Sequence, residues 1–418
     1  MSTLSSLAWE WSFQRRDRAL LFWLGLVLLL GGLAVAGGIT EVAQQRGSIE
    51  RLLAGDREDR LDALARHEDW GSAAYYSFHL TYDPPSHFAF AALGRRDREP
   101  WKHRIRMLAL EGQIYEHDAG NPELALTGRF DFAFFAAFVI PLVLVVLMHD
   151  LRASDRAAGR YALLVTTSGR ESSPWRSRAV LRALAVFVAA ALPMIVGAAI
   201  SGTSVLTVLL ATFLLLAYVS FWAIICYFLS RSDRPAPVIL AALLGVWVLL
   251  AVVLPGVGRL AVDRLVPAPS GADILLTQRE AVNDAWDLPV EATMSEFVKR
   301  HPQWAEHAEV GGGFQWKWYY AFQQVGDQKT EDLSNAYRAA RIRRDRLAGL
   351  FALLTPPALL ERSLQRLAAT DLTASLAYEA QIRAFHARLR DFYYGQLFLD
   401  QPFDAAALSE LPDYESSD

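Results

Sequence analysis

From Ala183 to Leu229 the chain carries no charged residue. As one straight helix this run would be roughly 70 Å long, more than twice the hydrocarbon thickness of a bilayer. It is therefore too long for a single crossing. Ser201-Gly202-Thr203-Ser204 interrupts it near the middle. The run is predicted to fold back as two spans, 180–200 and 205–229, joined by a very short turn. Pro193 lies inside the first arm and predicts a kink there.

Three other uncharged runs are long enough to cross: 19–40, 130–148 (with Asp131 at its outer edge) and 235–258. Ala34-Val35-Ala36 has the spacing of a signal-peptide cleavage site. Signal cores are only about 7–15 residues, so 19–40 reads as a retained span. Pro141 removes one backbone donor from the 130–148 helix and predicts a second kink. The expected fold class is an all-α membrane protein with five transmembrane helices and two mainly helical extracytoplasmic insertions, 41–129 and 259–418.

Orientation follows from the short loops. The 149–179 loop holds Arg152, Arg156, Arg160, Arg170, Arg176 and Arg178 against three acids. Arg231 and Arg234 flank the 230–234 turn, and Arg15, Arg16 and Arg18 precede the first span. The 201–204 turn has no charge. The positive-inside rule puts the N-terminus and both basic loops in the cytoplasm. Residues 1–18 read as an interfacial helix, with Leu4, Leu7, Ala8 and Trp11 on one side and arginines following, so membrane lipid is an expected partner.

In the first insertion, 41–66 is predicted helical from Ile49, Leu52, Leu53, Leu61 and Leu64. Tyr82-Asp83-Pro84-Pro85-Ser86 marks a loop, and Trp101–Tyr115 is a second helical candidate. In the second insertion, 331–354 is predicted helical. The uncharged stretch 347–360 is short and carries Pro356-Pro357, which predicts a segment on the membrane surface rather than a span. Trp316, Trp318 and Tyr319 lie in an aromatic run from Phe314 to Phe322. Two readings stay open for them: a partner-binding patch, or the core of the insertion.

Several chemistries are excluded or unsupported. The net charge of −4 gives no bulk attraction to nucleic acid. The one cysteine, Cys226, cannot form a disulfide within the chain. The histidines are scattered, and His301 and His307 do not share a helical face. Gly311-Gly312-Gly313 lacks the Lys-Ser/Thr of a phosphate loop and reads as a connector. No metal, cofactor or enzymatic activity is expected of the chain itself. The span interiors hold no Asp, Glu, Lys, Arg or His, which argues against an ion-coupled carrier. Energy for any transport would have to come from another protein.

That points to the 149–179 loop. Ser154–Leu164 has helix-forming residues and no proline, and it is predicted to form one short helix. Asp155, Gly159, Leu163 and Leu164 would then share a side able to enter a partner's cleft. An ordinary basic surface loop is the plainer reading.

The order and spacing of Asn121-Pro122, Phe130-Asp131, Pro141, Asp155-Arg156 and Gly159-Arg160 resemble the permease subunits of type-2 ABC transporters. The branch it resembles most has large extracytoplasmic insertions and a domain of unknown function. Gly94–Pro100 and Thr355-Pro356-Pro357 match that branch too. The resemblance implies a membrane-entry motif at Asn121, Pro122, Phe130, Asp131 and Pro141. It implies an ATPase-coupling element at Asp155, Arg156, Gly159, Arg160, Leu163 and Leu164. It also implies a second permease, identical or related, and a cytoplasmic ATPase dimer that holds ATP and Mg. Export or mechanical transmission across the membrane is expected. The family pattern has Thr-Leu after its glycine, where this chain has Arg160-Tyr161, and the family has six spans. A rival expectation is a membrane-anchored receptor or assembly factor that binds through its extracytoplasmic region.

Overall fold

The computed structural model describes residues 10–64, 66–116, 129–168 and 173–416. In chain order the helices are α1 (Arg18–Leu64), α2 (Trp70–Tyr76), α3 (Leu110–Tyr115), α4 (132–148), α5 (Ala153–Ala157), α6 (Tyr161–Ser168) and α7 (Ser173–Ser201). They continue as α8 (Val205–Leu229), α9 (Ala236–Leu265), α10 (Gly271–Asp287), α11 (Val290–Arg300), α12 (Trp316–Ala352), α13 (Pro356–Leu367) and α14 (Leu372–Phe398). Among the described residues the fold is all-α apart from one antiparallel ribbon of β1 (His79–Tyr82) and β2 (Lys102–Ile105), with His79 opposite Ile105. Five of the described helices (α1, α4, α7, α8 and α9) are long and apolar enough to cross a membrane, which is compatible with a membrane-embedded protein.

No proline interrupts residues 18–64, so the predicted span and the predicted helix after it are one 47-residue rod, α1. At 1.5 Å per residue it is roughly 70 Å long. Its first half lies along α7 in the apolar bundle, and its second half runs on to pack against β1. The bundle is centred on α4, whose apolar stretch is 67% buried, against 17% for α9 at the periphery.

Pro141 explains a feature of that centre. It has no N–H to offer the carbonyl one turn earlier, that of Ala137. The helix widens into a π turn over Phe135–Val139, and the Tyr218 hydroxyl of α8 donates to the Ala137 carbonyl oxygen at 2.5 Å. A second π turn, Leu249–Val253, precedes Pro255 in α9. In each case the proline strains the α-helical ladder, and the π turn absorbs the strain.

Residues 86–97 plug one end of the bundle. Phe88, Ala89, Phe90, Ala91 and Ala92 are buried there between α1 and α7. A side chain at Gly38 would sit 1.9 Å from the Phe90 carbonyl oxygen, so only glycine allows α1 to pass. The plug is held by hydrogen bonds on several sides. Ser86 Oγ donates to the Ala368 carbonyl (2.5 Å), and Thr203 Oγ1 donates to the His87 carbonyl (2.9 Å). The Arg95 N–H donates to the Thr370 carbonyl (2.9 Å). Gly94 takes a left-handed φ of +53° against that same Thr370.

Residues 66–116 and 271–416 form one body beyond the plug. Two aromatic and aliphatic clusters draw on both segments: Trp70 packs near Phe392 and Phe403, and Ile105 and Ile114 join Ile274, Ile382 and Phe385. Trp101–Tyr115, expected as a helix, is β2 followed by α3. Lys102–Ile105 alternates exposed and buried residues and pairs with β1, so tertiary pairing overrides local helical preference. Asp327 of α12 then accepts from the Leu110 and Glu111 N–H groups at 2.8 and 3.1 Å and starts α3. The predicted 331–354 helix is the second part of α12, which begins at the aromatic run.

One buried ion pair crosses between the two segments, Arg383 to Glu111 at 2.7 Å. Arg341–Glu379 and Arg390–Asp327, both at 2.5 Å, lie within the second segment, and their carboxylates also accept from the Tyr115 hydroxyl and the Leu110 N–H of the first. Burial works against the Glu111 charge, but the Arg383 guanidinium and the Ser334 hydroxyl outweigh it and hold the carboxyl below its usual range. His79 and His386 are buried neutral. Burial, with Arg60 beside it, lowers the pKa of His79 to about 3, and burial together with nearby Arg390 pushes that of His386 well down.

Two predictions follow from these networks. Tyr218→Phe leaves the buried Ala137 carbonyl without a donor and should cost roughly 2 kcal/mol, read as a lower unfolding midpoint in detergent. For the histidines, the unfolded chain takes up protons below about pH 6.5 while the folded body does not. Stability is therefore full above that pH and falls as pH drops toward 3, by on the order of 4 kcal/mol for His79 alone. Melting profiles of His79→Gln should be visibly flatter between pH 6.5 and 4 than those of the unsubstituted protein.

Candidate functional site

The segment after α4 is expected as one helix over Ser154–Leu164, but the chain forms two. α5 ends at Ala157 with Ala158 as its cap, Gly159 adopts φ +70°, and α6 starts at Tyr161. The Gly159 N–H bonds the Arg156 carbonyl, and the Arg160 N–H bonds the Asp155 carbonyl, which together close the helix end around a left-handed glycine. Sequence periodicity carries Asp155 and Leu163 along one side. The break at Gly159 separates them.

Asp155 points inward and is 2% exposed. One carboxylate oxygen accepts from Arg160 Nη2 (2.9 Å), and the other accepts from Trp175 Nε1 and Arg178 Nη1 (both 3.0 Å). Arg178 also binds Glu10 at 2.6 Å, and Glu10 is itself 2% exposed. Gln14 donates to Glu10 at 3.0 Å and accepts from Arg182 Nε at 3.2 Å. Arg182 reaches the Leu147 carbonyl and Asp17 as well. The result ties the residues before α1 to the end of α4, to α5 and to the start of α7.

Aromatic packing covers these charges. The Tyr161 ring stacks on Trp175 at 4.8 Å and 19°. The Arg152 guanidinium lies 5.1 Å from the Trp175 ring, and that of Arg156 lies 4.8 Å from the Tyr161 ring. Arg156 also bonds Asp233 at 2.5 Å and the Ser232 carbonyl at 2.9 Å, which brings in the α8–α9 turn. Three segments distant in sequence, the N-terminal residues, the 150–178 loop and the 230–234 turn, meet at this one end of the bundle.

What remains outward is narrow. Residues 157–160, Ala162, Leu163, Thr166 and Thr167 are exposed. Leu163 is 63% exposed, while Leu164 turns in to pack on the bundle core. The sequence-predicted residues thus divide into a buried anchor (Asp155, with Arg156 and Leu164 partly buried) and a presented surface (Gly159, Arg160 and Leu163). Glu10, Trp175, Arg178 and Arg182 were not singled out as site residues. The available signal was spacing: Arg178 and Arg182 are four apart, as are Glu10 and Gln14, so each pair shares a helical face.

The other expected sites lie elsewhere. Asp131 caps α4 through the Phe134 N–H (2.8 Å) and also accepts from the Leu93 N–H of the plug (2.9 Å). Phe130 is 43% exposed, and Pro141 is buried in the bundle. Asn121 and Pro122 fall outside the described residues. Trp318 is buried, and the half-buried Trp316 stacks on Tyr320 over Gly71. Tyr319 packs against Trp286, so all three rings belong to the Trp70 cluster of the body. Phe314 and Trp286 form its outer rim, 53% and 50% exposed. Among the described residues no group of three or more His, Cys, Asp or Glu is placed to hold a metal.

Residues 273–417 match a family model described as "Domain of unknown function (DUF3526)". The match covers the second segment of the body, and the five apolar helices lie outside it. Comparison with curated proteins and with solved structures returned no match.

Removing Asp155 would leave the buried Trp175 Nε1–H without its acceptor and Glu10 as the one carboxylate on Arg178. Asp155→Ala should cost about 3 kcal/mol, because it breaks a buried pair and orphans a buried donor. Arg160→Gln, at the exposed edge of the same carboxylate, should cost less than about 1 kcal/mol. Melting temperatures of the two variants in one detergent separate these roles.

Proposed function

We propose that the chain is the permease subunit of an ATP-driven ABC transporter in the bacterial inner membrane. Its 150–178 loop is the element on which a cytoplasmic ATPase dimer acts. The observation that carries this reading is the division of that loop into a presented surface and a buried anchor. Leu163, Arg160 and Gly159 face out, while Asp155 behind them is bonded to three side chains from two helical regions. A surface backed by a rigid ion-paired anchor passes displacement on to the helices it is tied to. A loose basic loop would absorb it.

The apolar helices support the same reading. Their uncharged interiors offer no ion pathway, so a separate ATPase, carrying ATP and Mg, is the proposed energy source. α9 leaves most of its apolar surface uncovered within one chain. Lipid and a second permease, identical or related, are its proposed neighbours. The N-terminus and both basic loops would then be cytoplasmic, and the body of residues 66–116 and 271–416 extracytoplasmic. ATPase closure would be converted to export or to mechanical transmission into that body.

A second reading is favoured by the exposed rim of Phe314 and Trp286: a membrane-anchored receptor or assembly factor that binds a partner through this body. The two readings separate at Leu163. Coexpressed with its ATPase, the protein should co-purify and stimulate ATP hydrolysis. Leu163→Asp should reduce that stimulation about tenfold or more while leaving the melting temperature unchanged. An intact complex with unchanged hydrolysis would sink the permease reading and leave the receptor reading standing.

A further inference from the structure

A cleft of about 500 Å³ opens where the last apolar helix ends and the body begins. One wall is the end of α9, with Pro255, Gly258, Arg259 and Val262. The opposite wall is the second half of α12, with Arg344, Ala348 and Phe351, and α13 closes the cleft with Ala358 and Arg362. The chain passes here from an uncharged run to Arg259, the first charged residue after Arg234. In a membrane-embedded protein this is the level of the lipid headgroups.

The lining is amphipathic in an ordered way. Its apolar part continues outward along the same helix ends, where Val257, Leu260, Leu353 and Leu354 are each more than half exposed. Its polar part is cationic. Arg95, Arg259, Arg341, Arg344 and Arg362 line the cleft, against Asp263 and Asp345. Behind the wall, Glu99 and Glu379 neutralise Arg95 and Arg341. Arg362 is paired to Asp345 at 2.9 Å. Arg344 is committed through Nε to the Val266 carbonyl and meets Asp263 only loosely, at 3.6 Å. Five arginines thus face four carboxylates. Arg259, which is exposed, has no ion pair among the described residues. In addition, the Nε of Arg95 is buried without an acceptor.

We infer that this cleft binds an anionic amphiphile, a single phosphodiester headgroup carried on acyl chains. The headgroup phosphate would accept from Arg259 and Arg344, and its one negative charge matches the one uncompensated arginine. The chains would lie along the exposed valine and leucines into the apolar layer. Neither part is enough alone: a free anion leaves the apolar surface bare, and a neutral amphiphile leaves Arg259 unmatched. This inference rests on the apolar helices being in a membrane and not on coupling to an ATPase, so either can fail without the other.

The experiment uses the full chain in a phosphate-free detergent, with saturable thermal shift as the readout. Dioctanoyl phosphatidylglycerol should raise the melting temperature saturably. Arg259→Gln, which removes an exposed side chain, should keep the unliganded melting temperature and weaken that binding about tenfold. Arg300→Gln, on α11 away from the cleft, should bind as the unsubstituted protein does. Inorganic phosphate and octyl glucoside should not reproduce the saturable shift. The inference is overturned by the absence of a saturable shift or by unchanged binding in Arg259→Gln. An equal response to inorganic phosphate reduces the cleft to a free-anion site, and an equal response to octyl glucoside reduces it to an apolar one; each also overturns it.

Discussion

Inside an apolar layer no water is at hand to replace a lost hydrogen bond, so each polar group must find its partner within the protein. The bundle is organised by that requirement. Pro141 frees the Ala137 carbonyl, and Tyr218 from another helix satisfies it. The need is created by one residue on α4 and met by one on α8, so the two helices are held in a fixed register. At the bundle ends the same requirement concerns whole charges. Asp155, Glu10 and Asp131 are all nearly buried, and each takes at least one donor from a different structural element.

The two ends are built differently. At one end, charged side chains and stacked rings tie the residues before α1 to α5, α7 and the α8–α9 turn. At the other, a plug of small and aromatic residues is held mainly by hydrogen bonds between side chains and backbone groups and by the close passage at Gly38. α1 joins them. Asp17 caps its first turn beside Arg182, and Arg60 near its last turn meets His79 and Asp413 of the body. A 47-residue helix anchored at both ends is a stiff connection between the loop and the distant body. In the proposed function it offers a direct mechanical path.

Some of the site was legible in the residues and some was not. Asp155, Gly159 and Arg160 stand out in the sequence because an acid, a glycine and arginines are dense in a short loop. Their roles depend on backbone geometry that periodicity does not carry. A left-handed glycine divides the segment, turning Asp155 in and leaving Leu163 out. Tyr161 stands where the family pattern has another residue, and it serves as the stacking partner of Trp175. Glu10 looked like part of an interfacial helix because its partner, Arg178, is 168 positions away. Trp101–Tyr115 looked helical because local preference cannot report a strand partner whose first residue, His79, pairs with Ile105.

The number of long apolar helices among the described residues was legible in the sequence alone, although α1, α7 and α9 run well beyond their uncharged stretches. The cost of placing charge in hydrocarbon is large enough to be read from composition in a window. The same cost kept charged residues out of the helix interiors and gathered them at the ends. Only the tertiary structure decided which charges meet. It joined two segments, separated by four apolar helices, into one body through the Glu111–Arg383 pair and the bonds from Tyr115 to Glu379 and from Leu110 to Asp327. It also made Asp155 an anchor and Leu163 a surface. Pairings of that kind are set by distances between chain-remote side chains, and neither hydropathy nor helical period contains them.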